Sequence, residues 1–559
     1  MKLASRLAAI ALLTVTLAFG QQAQISGQVT DASGAAVPNT IITVNSETTG
    51  VRRTATTNEQ GLFLLPVLQP GTYVLTTQKE GFRSSTQRNI LLRLDDRVRI
   101  DVRLELGAQT QSVDVQAETP LLRVDDAQTG LVIDNRRIQE LPQYNRNPLA
   151  FAQLAPNVNG TADQQGYSSD FRINGGRTAK AEYIIDGVAV TTGYRHDVPP
   201  SIPSMEAVGE FKVITNGLSA EYGRLSGGVV TLVTRAGTNQ YHGSLYEFFR
   251  NDKLNANDWN SNRFGRAKGV FHDNVFGGAI GGPLSIPKLY SGKDKSFFFL
   301  NYEATRRRTG SNAQLASVPS DLEREGDFSQ TLIDSGIPAK IFDPLTARAV
   351  AGRVVRDAFP GNRLPASRLD PLSKIYMGFY PKANQTARPN SSHDQNFVGS
   401  ATTPLDNNRW TGRLDQNWSS AHNSHFTLTY FDQFSASRRW LSALQPVNTN
   451  DDMAFTTAFD HSYLINPTTI FNFKLGAVRS KAFAGGQVEA DSSGWNLAPE
   501  VQNLIGTSKG RVPTLGTADT VTGIGGGSVT DNRDTTYSGQ FSMQKQAGRH
   551  TVNSNALSR

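Results

Sequence analysis

No cysteine occurs among the 559 residues, which excludes a disulfide framework, thiolate metal sites and thiol catalysis. Charged residues are scarce at 19%, and hydrophobic ones reach only 38%, both low for a soluble globular chain. No stretch after the first twenty residues approaches the ~18 consecutive apolar residues of a membrane helix, so a helical membrane protein is excluded. The charge has no strong sign: 56 Lys and Arg against 49 Asp and Glu leave +7, too weak an excess to point to nucleic acid. What is plentiful is glycine, with 50 residues. The length alone suggests about three or four domains.

The first segment is distinct. Lys2 and Arg6 precede an apolar or small-residue run from Leu7 to Phe19, and Ala18-Phe19-Gly20 supplies small residues at a cleavage site. Residues 1–20 therefore read as a secretory signal peptide, too short for a membrane span. The expected compartment is periplasm, outer membrane or exterior, and a cysteine-free chain suits passage through an oxidising space.

From Gln24 to Leu106 short alternating segments are broken by turn residues. Ile25 to Val29 and Thr40 to Val44 alternate, and Asp31-Ala32-Ser33-Gly34 and Gln69-Pro70-Gly71 are turns. Val98, Ile100, Val102, Leu104 and Leu106 alternate with Arg99, Asp101, Arg103 and Glu105, which predicts a half-buried antiparallel strand. Several such strands make a small β-sandwich. Gly27-x-Val29-x-Asp31-x-x-Gly34, Val37-Pro38, Thr57 to Gly61 with Phe63, Leu68-x-Pro70-Gly71-x-Tyr73 and Gly81-Phe82 resemble the carboxypeptidase-regulatory-like domain over residues 24–106. That resemblance implies a transthyretin-like sandwich without peptidase activity, and a carbohydrate-binding role only through distant starch-binding-like relatives.

Residues 107–239 change character. Ser112, Val113, Asp114, Val115, Gln116 and Ala117 form an alternating segment closed by Pro120. It resembles the TonB box, the extended peptide that adds as a strand to the periplasmic protein TonB. Strand addition needs exposed backbone groups rather than particular side chains, so the same residues read equally as an ordinary edge strand. The neighbouring motifs are more specific. Phe171-Arg172-Ile173-Asn174-Gly175-Gly176-Arg177, Tyr183 to Val188, Pro203 to Val213, and Ala220 to Arg235 with Tyr222-Gly223 and Gly227-Gly228 follow the order of the plug domain of TonB-dependent receptors. Asp186-Gly187 is a hairpin turn with Gly supplying positive φ, and Gly227-Gly228 allows close backbone packing. Tyr222, Gly223, Gly227 and Gly228 are expected to hold the plug's structure. Asp186 and Arg177 are expected as plug–lumen polar contacts, with turn or surface positions as the alternative.

Residues 240–559 predict part of a transmembrane barrel. Candidate strands are Ser244–Phe249, Phe276–Leu284, Ser296–Tyr302, Arg409–Trp418, His425–Phe434, Phe455–Leu464 and Thr469–Val478. In the last, Phe471, Phe473, Leu475 and Ala477 alternate with Asn472, Lys474 and Gly476, an apolar face toward lipid and a polar one toward the lumen. Asn466-Pro467 fits a short periplasmic turn. The stretch near 306–405 reads as a large outer loop, with Arg306-Arg307-Arg308 a solvated charge run or a contact for anionic lipopolysaccharide. A barrel that encloses a plug needs about 22 strands. The chain is therefore expected to carry only the N-terminal part of such a barrel, and Asn555 to Arg559 lacks a terminal aromatic.

Catalytic chemistry is missing from the pattern. The eight histidines are scattered. His422 and His425, at i and i+3, would point to opposite faces of a strand, so no metal site is expected. Gly223-Arg224-Leu225-Ser226-Gly227 has the wrong spacing for a nucleophile elbow. Gly523 to Gly527 lacks the Lys and helix of a phosphate loop and reads as a flexible loop.

Taken together, the expected fold is mainly β: a small transthyretin-like sandwich, an α+β plug, and the first part of an antiparallel outer-membrane barrel. The domain order most resembles the Oar-like TonB-dependent receptors. The resemblance implies a non-enzymatic uptake receptor of a Gram-negative-type outer membrane, without cofactor. Its implied partners are TonB with the inner-membrane energising complex, outer-membrane lipid and lipopolysaccharide, and an unidentified extracellular ligand, with a carbohydrate or other large nutrient as the expected class. The competing reading is a surface or periplasmic adhesion or carbohydrate-binding protein that works through its sandwich.

Overall fold

The computed structural model describes residues 23–94, 96–107, 112–116, 128–160, 171–177, 181–191, 201–218, 227–265, 267–310, 314–333, 336–466, 469–487, 495, 497–500, 503, 512–515, 521–522, 524–526, 529–547 and 550–558. The signal segment 1–20, Ala117, Tyr222, Gly223 and the turn at Pro467 lie outside the described residues.

The sandwich strands are β1 (Ala23–Thr30), β2 (Ile41–Ser46), β3 (Arg52–Thr56), β4 (Leu62–Leu68), β5 (Gly71–Gln78), β6 (Ser84–Leu92), β7 (Arg97–Arg99), β8 (Val102–Arg103) and β9 (Ser112–Gln116). One sheet holds β4, β1, β7 and β8, and the other runs β3-β2-β5-β6-β9. Alternation in β1 and β2 sends Ile25, Val29, Ile42 and Val44 into a shared core with Phe63, Leu75 and Ile90. Two details of the closing strand differ from expectation. It pairs parallel with β1, not antiparallel, and it breaks into β7 and β8 around Ile100. The alternating face survives the break, since Val98, Ile100, Val102 and Leu104 are buried, but Leu106 is exposed. The close approach depends on Gly27, where a Cβ would fall 1.8 Å from the Ile100 carbonyl oxygen.

The plug strands are β10 (Thr129–Asp134), β11 (Val158–Asn159), β12 (Arg172–Ile173), β13 (Glu182–Ile185), β14 (Val188–Ala189), β15 (Val208–Asn216) and β16 (Val229–Thr234). Five of them form a mixed sheet in the order β10-β15-β16-β13-β14. β13 and β16 are parallel, and both are almost wholly buried, as continuous apolar runs in parallel strands require. A helix at Asn135–Glu140 and a 3₁₀ turn at Pro148–Leu154 contribute Ile138, Leu149 and Phe151 to the same core as Tyr183, Phe211 and Leu232. Val478 of the barrel wall completes that core. Gly228 has φ +103°, and a Cβ there would lie 2.7 Å from the Ile214 carbonyl oxygen, a position that only glycine fills without strain.

The wall begins with β17 (His242–Asn251), β18 (Phe271–Pro283) and β19 (Ser296–Gly310). An excursion follows, with short pairs β20 (Gln314–Ala316), β21 (Arg348–Val350), β22 (Arg353–Val355) and β23 (Phe397–Gly399). Then come β24 (Thr402–Asn417), β25 (His422–Ala436), β26 (Val447–Asn466) and β27 (Thr469–Gln487). After the short β28 (Val512–Leu515) and β29 (Ile524–Gly526) the wall resumes with β30 (Val529–Ala547) and β31 (His550–Ser558). The wall is one nine-stranded antiparallel sheet in chain order, β17-β18-β19-β24-β25-β26-β27-β30-β31. Leu245, Ile280, Leu300, Trp410, Leu414, Leu428 and Leu475 are exposed on its outer face. Thr411, Arg413, Thr427, Thr429, Asp460 and Lys474 are buried on its inner face, the apolar-out, polar-in alternation of a membrane barrel. Short turns join the strands at one end, such as 418–421, and long excursions at the other, which orients the short-turn end to the periplasm. Among the described residues no helix is long and apolar enough to cross a membrane.

All seven expected wall strands are present and longer than read. Two are additional: β30, whose outward Tyr537, Phe541 and Met543 follow a polar first half, and β31, rich in Thr, Ser and Asn. The outer loop spans 311–401, not 306–405, and it is folded. Val318, Tyr376 and Tyr380 pack with Leu441, Leu444, Trp495 and Ile524 from two other excursions. Ile524 lies in β29, so the glycine-rich stretch expected as a flexible loop is strand there. The three arginines Arg306 to Arg308 are not a solvated run. They sit in β19, with Arg307 paired to Asp273, Arg308 to Asp406 at 2.6 Å, and Arg306 bonded to Asn408 at 2.7 Å.

Candidate functional site

The plug reaches the barrel wall through a hairpin. β13 and β14 are joined by Asp186-Gly187, both with positive φ, +47° and +83°, the two-residue geometry that Asp-Gly favours. This presents the Asp186 carboxylate, fully buried, to β16 and β24. Its oxygens accept from the Thr234 backbone N–H at 2.9 Å and the Thr234 hydroxyl at 3.0 Å. The Arg413 guanidinium lies 3.5 Å away, donates to the Thr234 carbonyl at 3.0 Å, and forks onto Asp415 at 2.8 and 2.9 Å. Asp415 in turn accepts from Gln69 of the sandwich at 3.0 Å. Plug, wall and sandwich thus meet in one buried polar chain. The hairpin tip rests on β27, where a Cβ on Gly476 would stand 2.3 Å from Val188. Beside it, Lys474 pairs with Asp460 across the β26–β27 register at 2.9 Å.

A second contact lies higher in the lumen. Arg146 of the plug is 3.4 Å from both Glu206 and Glu303, with its guanidinium 3.9 Å from the Phe248 ring centroid. Arg409 shares Glu303 at 3.5 Å. Nearby, Asp273 is fully buried between Arg250 and Arg307. These groups surround a cavity of about 370 Å³ between the plug segment 143–148 and strands β17, β18, β19, β24 and β25.

At the periplasmic end the sandwich is fastened to the wall and the plug. Arg53 donates to the carbonyl oxygens of Ser419 and Ser420 in the β24–β25 turn. Asn239 bonds Thr49 and Asp294 at 2.6 Å each. Leu94 N–H donates to Glu210 of the plug at 2.6 Å. Burial of Glu210 raises its pKa to about 7, assisted by Asp96 and Asp134 and opposed by the Leu94 N–H and Arg93.

The expected site residues are distributed as follows. Asp186 and Gly187 form the hairpin at the wall. Asn174 and Gly175 occupy a positive-φ turn, and the Asn174 amide donates to the Thr215 carbonyl. Arg177, expected as a possible lumen contact, is exposed and makes no hydrogen bond or ion pair among the described residues. Ser112 to Gln116 form β9, which pairs parallel with β6 from Ser84↔Ser112 to Arg88↔Gln116 and is the outermost strand of its sheet. His422 stacks on Tyr463 at 4.1 Å on the outer face, and no group of three metal-ligating side chains occurs among the described residues. The residues that sequence reasoning missed are Arg146, Glu303, Arg409, Arg413 and Asp415. For the wall residues the signal was parity: Arg409, Thr411, Arg413 and Asp415 fall on the face opposite Trp410 and Leu414, whereas Arg146 lies in no strand and had none.

The family model of an outer membrane beta barrel domain matches residues 233–554, more than half of the chain, and that of the TonB-dependent Receptor Plug Domain matches 124–230. This chain belongs to the TonB-dependent outer-membrane transporters. Its sandwich matches the carboxypeptidase regulatory-like domain over 24–105, an N-terminal addition to the family's plug and barrel. The chain is 29% identical over 334 residues to the TonB-dependent transporter Oar of Myxococcus xanthus, a match that covers 57% of this chain and 31% of that one. It therefore spans about a third of that curated relative. Among solved structures, the outer membrane transporter YddB from Escherichia coli aligns at 11% identity and TM-score 0.45, covering 76% of this chain and 47% of that one. The ferric-catecholate import receptor Fiu from E. coli K12 aligns at 12% identity and TM-score 0.30, covering 78% and 70%.

Proposed function

We propose that this chain serves as a gated uptake receptor: an extracellular ligand enters the lumen above the plug, TonB pairs with Ser112 to Ala117, and force transmitted from the inner membrane moves the plug aside. Residues 1–20 direct export and are then removed. The observation that carries the reading is the plug's attachment. It is held to the wall by polar contacts around Asp186, Arg146 and Ser204 and by small apolar contacts at Val478 and around Ala207, which a pull from the periplasm can break. The place of β9 supports the TonB segment, since the outermost strand of a sheet leaves one backbone edge for another strand to join. The sandwich lies at the short-turn end of the wall, which favours a periplasmic role over surface adhesion.

Replacing Val113 or Val115 with Pro removes a backbone donor from β9 and prevents regular strand addition. Pull-down with the periplasmic domain of TonB is expected to drop for at least one of the two. Unchanged binding in both would remove the assignment of this segment. Heat-modifiable migration and recovery in the outer-membrane fraction are expected of the chain; a salt-extractable, soluble product would sink the uptake reading altogether.

A further inference from the structure

The cavity above the plug has a chemical bias. Of the charged residues that line it, four are arginines (Arg146, Arg250, Arg307 and Arg409) and two are glutamates, Glu303 and Glu247. Glu247 is at the solvent-exposed rim, where water and salt screen it. Inside, the carboxylates are few: Glu303 serves both Arg146 and Arg409, Glu206 also meets Arg146, and Asp273, on the inner face of β18, serves both Arg250 and Arg307. Guanidinium donors therefore outnumber acceptors. The Nε atoms of Arg146 and Arg409 and Nη1 of Arg250 are buried without a hydrogen-bond partner among the described residues. A buried donor left unmade in this way is a deficit that an incoming acceptor removes.

The guanidinium planes are also held in place. Arg146 lies over Phe248, and Arg250 over the Tyr144 ring at 4.1 Å. Stacking of this kind leaves the in-plane N–H fork free for a planar or tetrahedral oxyanion. Gln433, only 3% exposed, and Asn145 each add an amide with an unpartnered oxygen atom. An amide flip turns either into a further donor. At about 370 Å³ the cavity is at the small end of ligand sites, and suits a compact group rather than a polymer.

We propose that this cavity binds the anionic group of a small solute, a carboxylate or a phosphate, with Arg409, Arg250 and the plug's Arg146 as its donors. The proposal rests on the uptake reading and names the chemical class of what is taken up. Arg146 gives the site its link to gating, because the residue belongs to the plug and the other donors to the wall. An anion accepting from both bridges the two and competes with Glu303 for Arg146.

The test uses the full chain in detergent micelles at low salt, with citrate and inorganic phosphate as probes and glycerol as the neutral control, by titration calorimetry. One anion is expected to bind while glycerol does not, and the preferred anion tells carboxylate from phosphate. Arg409→Lys keeps the charge beside Glu303 but loses the fork, and Gln433→Ala removes an amide without disturbing any ion pair. Each is expected to weaken binding about tenfold, with heat-modifiable migration retained. No preference for either anion over glycerol, or affinity unchanged in both variants, overturns the proposal. A chain that inserts in the outer membrane and captures TonB yet ignores both anions leaves the uptake reading standing and removes only this one. Anion binding that depends on Arg409, in a chain that neither inserts nor captures TonB, does the reverse.

Discussion

The Asp186 carboxylate offers the sharpest test of how the plug is retained, because its three roles can be separated by substitution. It accepts two hydrogen bonds from Thr234, faces Arg413 at 3.5 Å, and occupies a turn position at φ +47°. Asp186→Asn keeps an acceptor oxygen and a residue that tolerates the left-handed region, so it removes charge alone. At an effective dielectric near 20 the Arg413 attraction is roughly 5 kcal/mol, but relief of carboxylate desolvation offsets most of it, and Arg413 keeps Asp415. A net loss of about 1–2 kcal/mol follows. Asp186→Ala adds a stranded Thr234 N–H, worth about 1–3 kcal/mol, and left-handed strain of about 1 kcal/mol, for a total of about 3–5 kcal/mol. Amide hydrogen exchange of β13 and β16, measured on the full chain in micelles, reads these as local opening free energies. Alanine should open the segment about 2 kcal/mol more easily than asparagine. The reasoning fails if asparagine is as damaging as alanine, which would make charge the whole effect, or if alanine falls within about 0.5 kcal/mol of the native chain.

Two further expectations concern other buried charges. Glu210, with its pKa raised from 4.5 to about 7, binds its proton more tightly in the folded interface than in the unfolded chain. Its contribution is therefore full below about pH 4.5 and lost as pH rises through about 7. The upper bound is roughly 3 kcal/mol. Exchange protection of the Leu94 amide should fall between pH 5.5 and 8.5 in the native chain and stay level in Glu210→Gln; a pH-independent native chain would contradict this. For the wall, Lys474→Met leaves Asp460 buried, 2% exposed, without its cation and should cost about 3–5 kcal/mol. The double variant Lys474→Met with Asp460→Leu should recover most of the lost stability in heat-modifiable migration. A neutral single variant, or a double no better than the single, would refute that assignment.

Strand parity was the most legible feature of the wall, because each membrane strand must turn one face to lipid. Thr469 to Val478 could be sorted into faces from Phe473 and Leu475 alone, and Lys474 is buried as that sorting requires. The same logic missed β30, where the outward Tyr537, Phe541 and Met543 are preceded on the same face by Asp531, Arg533 and Thr535, so the alternation is too short to stand out. It failed again at Val98 to Leu106, because period-two burial does not distinguish a parallel from an antiparallel partner; only the register with β1 decides that. Arg306 to Arg308 misled for a different reason. Three adjacent charges look solvated in one dimension, yet their partners Asp273, Asp406 and Asn408 come from the neighbouring strands β18 and β24. The Asp186 turn was readable from the Asp-Gly pair, whereas its wall partner Arg413 lies 227 residues away and had no local signal beyond parity.

The arrangement along β24 explains how a plug can be both held and releasable. Arg409, Arg413 and Asp415 all face inward, over about 20 Å of strand, and the plug touches this line at two levels, through Glu303 above and Arg413 below. Each of the two plug–wall ion pairs is shared with a partner inside the same domain. If the plug moves away, Arg413 keeps Asp415 and Arg409 keeps Glu303, so neither arginine is left without a counter-charge. On the plug, Arg146 keeps Glu206, and Asp186 keeps the Thr234 N–H. A buried pair such as Lys474 with Asp460 would cost about 3–5 kcal/mol to split, which is acceptable within a permanent wall but prohibitive across a moving boundary if repeated. Shared pairs lower that cost at each level while still giving the docked plug one position, because the contacts of Arg413 Nη1 with Asp186 and Thr234 and the bridge of Arg146 are made together only when the hairpin and segment 143–148 are both seated.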